Sequence, residues 1–202
     1  AVVTDMNQVL GTTAGNALEL EESLLFLRNE RRDARLNDVT IALCAEMLVV
    51  GGIERDRDEA RRKCDDAVTS GRAAEVFGRM VSALGGPVDF VDNYDDHLAT
   101  APVERAVFAD GCVTAVDARA VGNAIIELGG GRRKVGETLD LSVGFSHIAA
   151  IGTRLDDERP LAVVHAATEA DADAAESNLR AAVVLGDAEP ADDPVIYEIL
   201  TG

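Results

Sequence analysis

VVTDMNQVLGTTAGNALELEE, residues Val2 to Glu22, begins with an apolar pair that runs into a polar turn. A Gly-spaced loop follows, and then a helix with acids in its first turns. A short strand that leads through a loop into a helix is the unit from which α/β folds are built. Ligands in such folds gather at the carboxyl ends of strands, which is where this loop would lie. The stretch is therefore the best candidate for an element close to a functional site.

Length and composition indicate a globular protein. The 202 residues can bury a sizeable core, and 47% of them are hydrophobic. Only 3% are aromatic, so the core must be built from Ala, Val, Leu and Ile. The longest apolar stretch, Val39 to Val50, is shorter than the ~18 residues of a membrane span and is interrupted by Thr40 and Glu46. We therefore expect no membrane segment. The N-terminus has no basic region followed by an apolar core, so we expect no secretory signal either.

The chain is strongly acidic. Its 37 acids outnumber 19 bases, which gives a formal net charge of −18. Nucleic acid is therefore not an expected partner, because phosphate binding needs a basic surface. Two explanations of the acidity stay open: adaptation to high salt, and a GC-rich coding bias that leaves an acidic surface.

The three cysteines, Cys44, Cys64 and Cys112, are odd in number and widely spaced. They form no CxxC or Cys/His ligand pair, so neither a disulfide framework nor a zinc site is indicated. Cys44 and Cys64 fall on apolar helix faces, where a cysteine usually acts as a small hydrophobic residue. This usage fits a reduced, cytoplasmic compartment.

Helical spacing dominates the first half of the chain. The helix that follows the loop is expected from Ala14 to Glu30. The next helix, Val39 to Val50, is apolar nearly all round and should be buried, with Asn37 or Asp38 as its cap. Two amphipathic helices are then predicted, at Arg57–Val68 and Ala73–Leu84.

The second half reads as α+β. Residues 106–109 and 112–116 flank an Asp-Gly pair and predict a hairpin. A helix capped by Asp117 follows, and Thr168 with Asp171 resembles a capping box that opens a helix reaching Leu185. Short strands are expected at Leu139–Phe145, Ile148–Ile151, Leu161–His165 and Val195–Leu200.

The predicted organisation has three parts. Residues 1–88 form the C-terminal part of a parallel-sheet α/β domain that is mostly helical here. Residues 89–104 form a linker, and residues 105–202 form a smaller α+β domain.

Several residues are candidates for chemistry. Glu22 projects among apolar neighbours, where a carboxylate needs a partner, a cation or an outlet to solvent. Glu46 is expected to make a structural hydrogen bond. The GGGRRK turn, Gly129 to Lys134, could cradle a phosphate, but it follows a helix, and a helix C-terminus repels anions. A helix stop with a basic surface turn is the alternative.

The three histidines fit no catalytic pattern. His97 is a lone loop residue, and His147 and His165 have no nucleophile motif around them. We expect the last two to pack on strand faces. No catalytic constellation follows from spacing alone.

Blocks spread over the chain resemble the thymidine and pyrimidine nucleoside phosphorylases. They are TDMNQVLGTTAGNALE from Thr4, DVTIALCAEML from Asp38, GRAAEVFGRMV from Gly71, ELGGGRRK from Glu127, DLSVGF from Asp140, and IGTRLDDERPLAVVHA from Ile151. They occur in order over essentially the whole chain.

The resemblance implies reversible phosphorolysis of thymidine, in which phosphate attacks C1′ to give thymine and 2-deoxyribose 1-phosphate. It also implies a homodimer for the full-length enzyme. The family's phosphate- and base-binding residues lie upstream of the TDMNQ block, so no catalytic or substrate-binding residue is assigned here. The chain is expected to be a C-terminal portion that needs the N-terminal part of the enzyme and is inactive alone.

One site is carried over in part. Some family members bind a potassium ion, and its ligands match the carbonyls of Leu10 and Thr13 and the carboxylate of Glu22. No other cofactor is expected. The alternatives left open are a portion of another nucleoside or nucleoside-monophosphate phosphorylase, and a non-catalytic module similar to biotinyl or lipoyl carriers. The latter is disfavoured because no Lys follows Lys134.

Overall fold

The computed structural model describes residues 1–191 and 193–200. The helices are α1 (Asn16–Leu27), α2 (Ala34–Val50), α3 (Arg57–Thr69), α4 (Arg72–Ala83), α5 (Ala118–Glu127) and α6 (Glu169–Ala182). The strands are β1 (Val2–Thr4), β2 (Val103–Val107), β3 (Gly111–Val116), β4 (Gly144–Ser146), β5 (Arg154–Leu155), β6 (Ala162–Ala166), β7 (Val183–Gly186) and β8 (Ile196–Ile199). None of the helices is long and apolar enough to cross a membrane within the described residues.

The described strands form three small antiparallel sheets, in the orders β1-β8, β2-β6-β4 and β5-β3-β7. The mixture of helices and sheets agrees with the α+β part of the predicted fold class. The parallel sheet stays a prediction, because every pairing among the described strands is antiparallel.

Two compact units are formed, by the described residues of 1–5, 21–97 and 194–202, and by those of 6–20 and 98–193. The first, here unit 1, contains β1, β8 and most of the helical half. Its buried side chains come mainly from α1, α2 and α3 and include Leu24, Phe26, Ile41, Ala45 and Ala60. Arg35 binds Asp5 through Nη1–Oδ2 (2.8 Å), and Tyr197 donates to the same carboxylate (3.1 Å).

The second unit, here unit 2, has a mostly aliphatic core that includes Val107, Val113, Leu161, Val164 and Leu179, together with the aromatic side chain of Phe145. Asp117 caps α5 by accepting from the amide of Ala120, and Thr168 caps α6 by accepting from the amide of Asp171 (3.1 Å). Both caps were predicted from the sequence.

The predicted hairpin around Asp110-Gly111 is wrong. β2 pairs with β6, whereas β3 pairs with β5 and β7, so the two strands belong to different sheets. The amide of Leu161 donates to the carbonyl of Val107 (2.7 Å), a partner far away in sequence. Long-range pairing thus prevails over the local turn signal.

Other predicted bounds also change. α2 begins five residues before Val39, because Asp33 rather than Asn37 or Asp38 accepts from the amide of Leu36 and caps it. α6 ends at Ala182 because Val183–Gly186 pairs with β3. Ile148–Ile151 forms no strand, and the strand predicted from Leu139 is confined to Gly144–Ser146.

The expectation that the second helix is buried all round is wrong. Ile41, Ala42 and Ala45 are buried, but Leu43, Met47 and Val50 are exposed. On α4, Val76 and Met80 are exposed as well. Unit 1 therefore presents large apolar side chains to solvent on two helices.

Candidate functional site

The loop between β1 and α1 is held along β4 of unit 2. Ala14 and Phe145 exchange two backbone hydrogen bonds, at 2.9 and 2.8 Å. The amide of Ile148 donates to the carbonyl of Thr12 (2.8 Å), and that of Ile151 donates to the side chain of Gln8 (2.9 Å). These bonds fix the path of residues 8–14 relative to residues 145–151.

Gly15 and Gly144 allow this close approach. Both have positive φ, at 142° and 152°. A Cβ on Gly144 would lie 2.2 Å from the carbonyl oxygen of Ala14, and a Cβ on Gly15 would lie 2.6 Å from that of Val143. Neither position therefore accepts a side chain without moving the backbone.

The three residues predicted to bind potassium differ in exposure. Leu10 is 43% exposed, whereas Thr13 (8%) and Glu22 (6%) are buried. Within the described residues, no group of three or more His, Cys, Asp or Glu side chains is arranged to hold a metal ion. The predicted site depends instead on two main-chain carbonyls and one carboxylate, an oxygen set that suits a hard cation.

The GGGRRK turn already holds an anionic group of the chain itself. The carboxylate of Glu137 accepts from the amides of Arg133 (2.7 Å) and Lys134 (3.1 Å). Gly129, with a φ of 95°, follows the end of α5. This geometry favours the helix-stop interpretation over phosphate binding, because the amides that would receive a phosphate are occupied.

The structure brings together a polar cluster that spacing did not reveal. The Oγ of Ser146 lies 2.8 Å from Nε2 of His165 and 3.0 Å from Nδ1 of His147. Nδ1 of His165 lies 3.8 Å from the carboxylate of Glu104. Burial lowers the pKa of His165, and Glu104 opposes this effect only in part.

Strand alternation is the signal that could have found this cluster. His165 lies opposite Glu104 on β2 and opposite Gly144 on β4. Ser146 is two residues from Gly144, so it shares a sheet face with His165. Because Ser146 is itself buried inside a strand, we interpret the cluster as structural hydrogen bonds that link β4 to β6, rather than as a catalytic nucleophile with its base.

The other candidate residues make structural contacts. Glu46 pairs with Arg57 (2.5 Å), as expected for a structural role. Nε2 of His97 lies 3.1 Å from a carboxylate oxygen of Asp89.

Unit 1 contains an open cavity of about 770 Å³ beside α4. Arg28, at its wall, already binds Glu30 (2.6 Å) and donates to the carbonyl of Val91 (3.1 Å). Arg79, Glu75 and Asp92 add charges of both signs. The lining therefore favours no single class of ligand.

Residues 112–186 match the family described as the pyrimidine nucleoside phosphorylase C-terminal domain. These residues form a pyrimidine nucleoside phosphorylase C-terminal domain. This confirms the family expected from the sequence blocks.

The match with the phosphorylase domain runs from β3 to the end of β7 and contains the GGGRRK turn and the Ser146–His165 pair. β2 lies just before the matched region, yet it pairs with β6 over five residues. The sheet of the phosphorylase domain therefore includes a strand outside the match. Leu10, Thr13 and Glu22 also lie outside it, so their role stays a prediction.

Proposed function

We propose that this chain is the C-terminal portion of a thymidine phosphorylase, which converts thymidine and phosphate reversibly into thymine and 2-deoxyribose 1-phosphate. The observation that carries the proposal is the family match over residues 112–186. The sequence blocks outside that region, TDMNQ above all, resemble the thymidine and pyrimidine nucleoside phosphorylases and support the same proposal.

In the proposed reaction, phosphate attacks C1′ and the pyrimidine leaves through an oxocarbenium-like transition state. Catalysis of this kind rests on positioning and on electrostatic stabilisation of the developing charge. We propose that the groups that bind phosphate and base are supplied by an N-terminal part of the enzyme. The chain alone would then support the site without performing the reaction.

The exposed apolar side chains of unit 1 support the proposal that an N-terminal part of the enzyme joins this chain. Leu43, Met47 and Val50 on α2 and Met80 on α4 are large and exposed. Leu43, Met47 and Val50 recur at helical spacing on α2, and a contiguous exposed apolar face usually marks an interaction site. We propose that an N-terminal part covers them and completes a parallel sheet to which β1 belongs, and that the completed enzyme is a cytoplasmic homodimer.

Activity measurements test the proposal directly. The chain alone and the chain joined to its N-terminal part are assayed for phosphate-dependent release of thymine. We expect turnover only in the joined protein. Robust turnover by the chain alone would refute the assignment of the catalytic groups upstream, and no turnover by a folded joined protein would refute the activity.

The preference for thymidine as the substrate is the most specific part of the proposal. Thymidine, uridine and nucleoside monophosphates are compared at equal concentration with the joined protein. The highest kcat/KM with thymidine is expected. A preference for uridine or for a monophosphate would place the enzyme among the related nucleoside or nucleotide phosphorylases.

We also propose that Leu10, Thr13 and Glu22 contribute to a potassium site. Two main-chain carbonyl oxygens and one carboxylate form a ligand set that suits a hard cation. Glu22→Gln in the joined enzyme should weaken phosphate use and remove the dependence on potassium, whereas Glu21→Gln on the same helix should change neither. Kinetics of Glu22→Gln that match the parent with and without potassium would contradict the assignment.

A further inference from the structure

Two of the three cysteines lie on neighbouring helices of unit 1. Cys44 lies six residues before the end of α2 at Val50, and Cys64 lies seven residues after the start of α3 at Arg57. With a rise of about 1.5 Å per residue, the two residues lie about 9 and 10.5 Å along the helix axes from the helix ends that adjoin the connecting segment. They are therefore at nearly the same level of the helical hairpin.

Each of the two cysteines has a buried alanine close to it on its own helix. Cys64 shares a stripe with Ala60 and Val68, both of which are buried, at helical spacing. Cys44 precedes Ala45, which is also buried. Alanines at a helix contact let the two backbones approach closely, which is what a bridge between cysteines requires.

Ion pairs hold this hairpin in one register. The carboxylate of Glu46 binds Nε of Arg57 (2.5 Å), and Glu54 in the connection binds Lys63. The second pair involves Lys63, the residue before Cys64.

Both thiols are free and only half-buried, whereas Cys112 is buried at 2% exposure. Burial raises the pKa of Cys44. Burial also raises the pKa of Cys64, with a smaller contribution from a thiolate at Cys44. This influence of Cys44 on Cys64 agrees with the two side chains lying near each other.

We propose that Cys44 and Cys64 form a reversible thiol–disulfide pair that closes when the protein meets a low-molecular-weight disulfide such as oxidised glutathione. One protein thiolate attacks a sulfur of the oxidant, which forms a mixed disulfide and releases one thiolate of the oxidant. The second protein thiolate then attacks the protein sulfur of the mixed disulfide and releases the other.

The reaction balances. Two protein S–H bonds and one S–S bond of the oxidant are lost, and one protein S–S bond and two S–H bonds of the released thiols are formed. The protein is oxidised by two electrons and the glutathione is reduced. Because the attacking species is a thiolate, raised thiol pKa values make closure slow near pH 7 and faster as the pH rises toward 9.

The test uses the full chain with oxidised glutathione at pH 8.5. The number of free thiols should fall from three to one. The intact mass should fall by about 2 Da without a retained glutathione. Peptide mapping should link Cys44 to Cys64, and dithiothreitol should restore all three thiols.

The single variants Cys44→Ser and Cys64→Ser are the matched controls. Each should lose the internal bridge and accumulate a mixed disulfide with glutathione at the remaining cysteine of the pair. Four results in the wild-type protein would overturn the proposal: three thiols that persist, a stable glutathione adduct on either cysteine, a bridge that includes Cys112, or a disulfide-linked dimer.

Discussion

Gly144→Ala should loosen the contact between the β1–α1 loop and β4. The added Cβ would lie 2.2 Å from the carbonyl oxygen of Ala14, and the φ of 152° is one that an alanine rarely adopts. The nearest atoms are backbone, so no flexible side chain can move aside. The two chain segments must separate instead.

The magnitude follows from two contributions. Holding a non-glycine residue in a sparsely populated backbone region costs about 1–3 kcal/mol. Separation also weakens the two hydrogen bonds between Ala14 and Phe145, each with a net contribution of about 1 kcal/mol. The sum, about 3–5 kcal/mol, is a large part of the ~5–15 kcal/mol that stabilises a typical domain.

Amide hydrogen exchange measures this effect at the contact itself. Exchange of the Phe145 amide should accelerate about a hundredfold or more. The matched control is Gly136→Ala, in the same unit. Gly136 has a φ of 93°, but nothing lies within 4 Å of an added Cβ. This variant should lose only about 1–2 kcal/mol. Equal exchange of Phe145 in the two variants would refute the steric argument.

Three further results are expected. Arg35→Met removes the cation beside the buried Asp5 and should lower the free energy of unfolding, measured in urea, by about 3–5 kcal/mol. Adding Asp5→Asn should recover part of that loss. An unchanged urea midpoint in Arg35→Met would contradict the role of the pair. Because burial lowers the pKa of His165, its contribution to stability is present above the unfolded pKa of about 6.5 and is lost as the pH falls below it. His165→Gln should therefore reduce the difference between the urea midpoints at pH 8 and pH 5, and an unaltered difference would mean that His165 is not the sensor. If the net charge of −18 reflects adaptation to salt, the Tm should rise from low to molar KCl, and a flat profile would leave coding bias as the explanation.

The sequence was sufficient where the signal is local. Asp117 and Thr168 stand directly before helical stretches, and each side chain caps its helix as predicted. A cap needs only residues within one turn of each other, so spacing reveals it. The family could also be inferred from the sequence, because each of its distinctive blocks is a run of consecutive residues.

The pairing of the strands depends on the tertiary structure and could not be predicted from the sequence. Asp110-Gly111 favours a hairpin locally, yet β2 pairs with β6 and β3 pairs with β7, and both partners follow much later in the chain. The same reason explains why α6 stops at Ala182 and why Ser146 meets His165. Local propensity is a weak preference, and packing between distant segments overrides it.

The sequence by itself thus determined the helices of residues 57–83, the caps of α5 and α6, the aliphatic core and the family of the C-terminal domain. Only the tertiary structure decided that the β1–α1 loop lies along β4 through Gly15 and Gly144, that Glu137 fills the turn of Gly129–Lys134, and that Leu43 and Met47 remain exposed. The physical reason is that each of these features depends on contacts between residues that are distant in sequence. Periodicity and spacing describe only residues that are close in sequence, so they do not reveal such contacts.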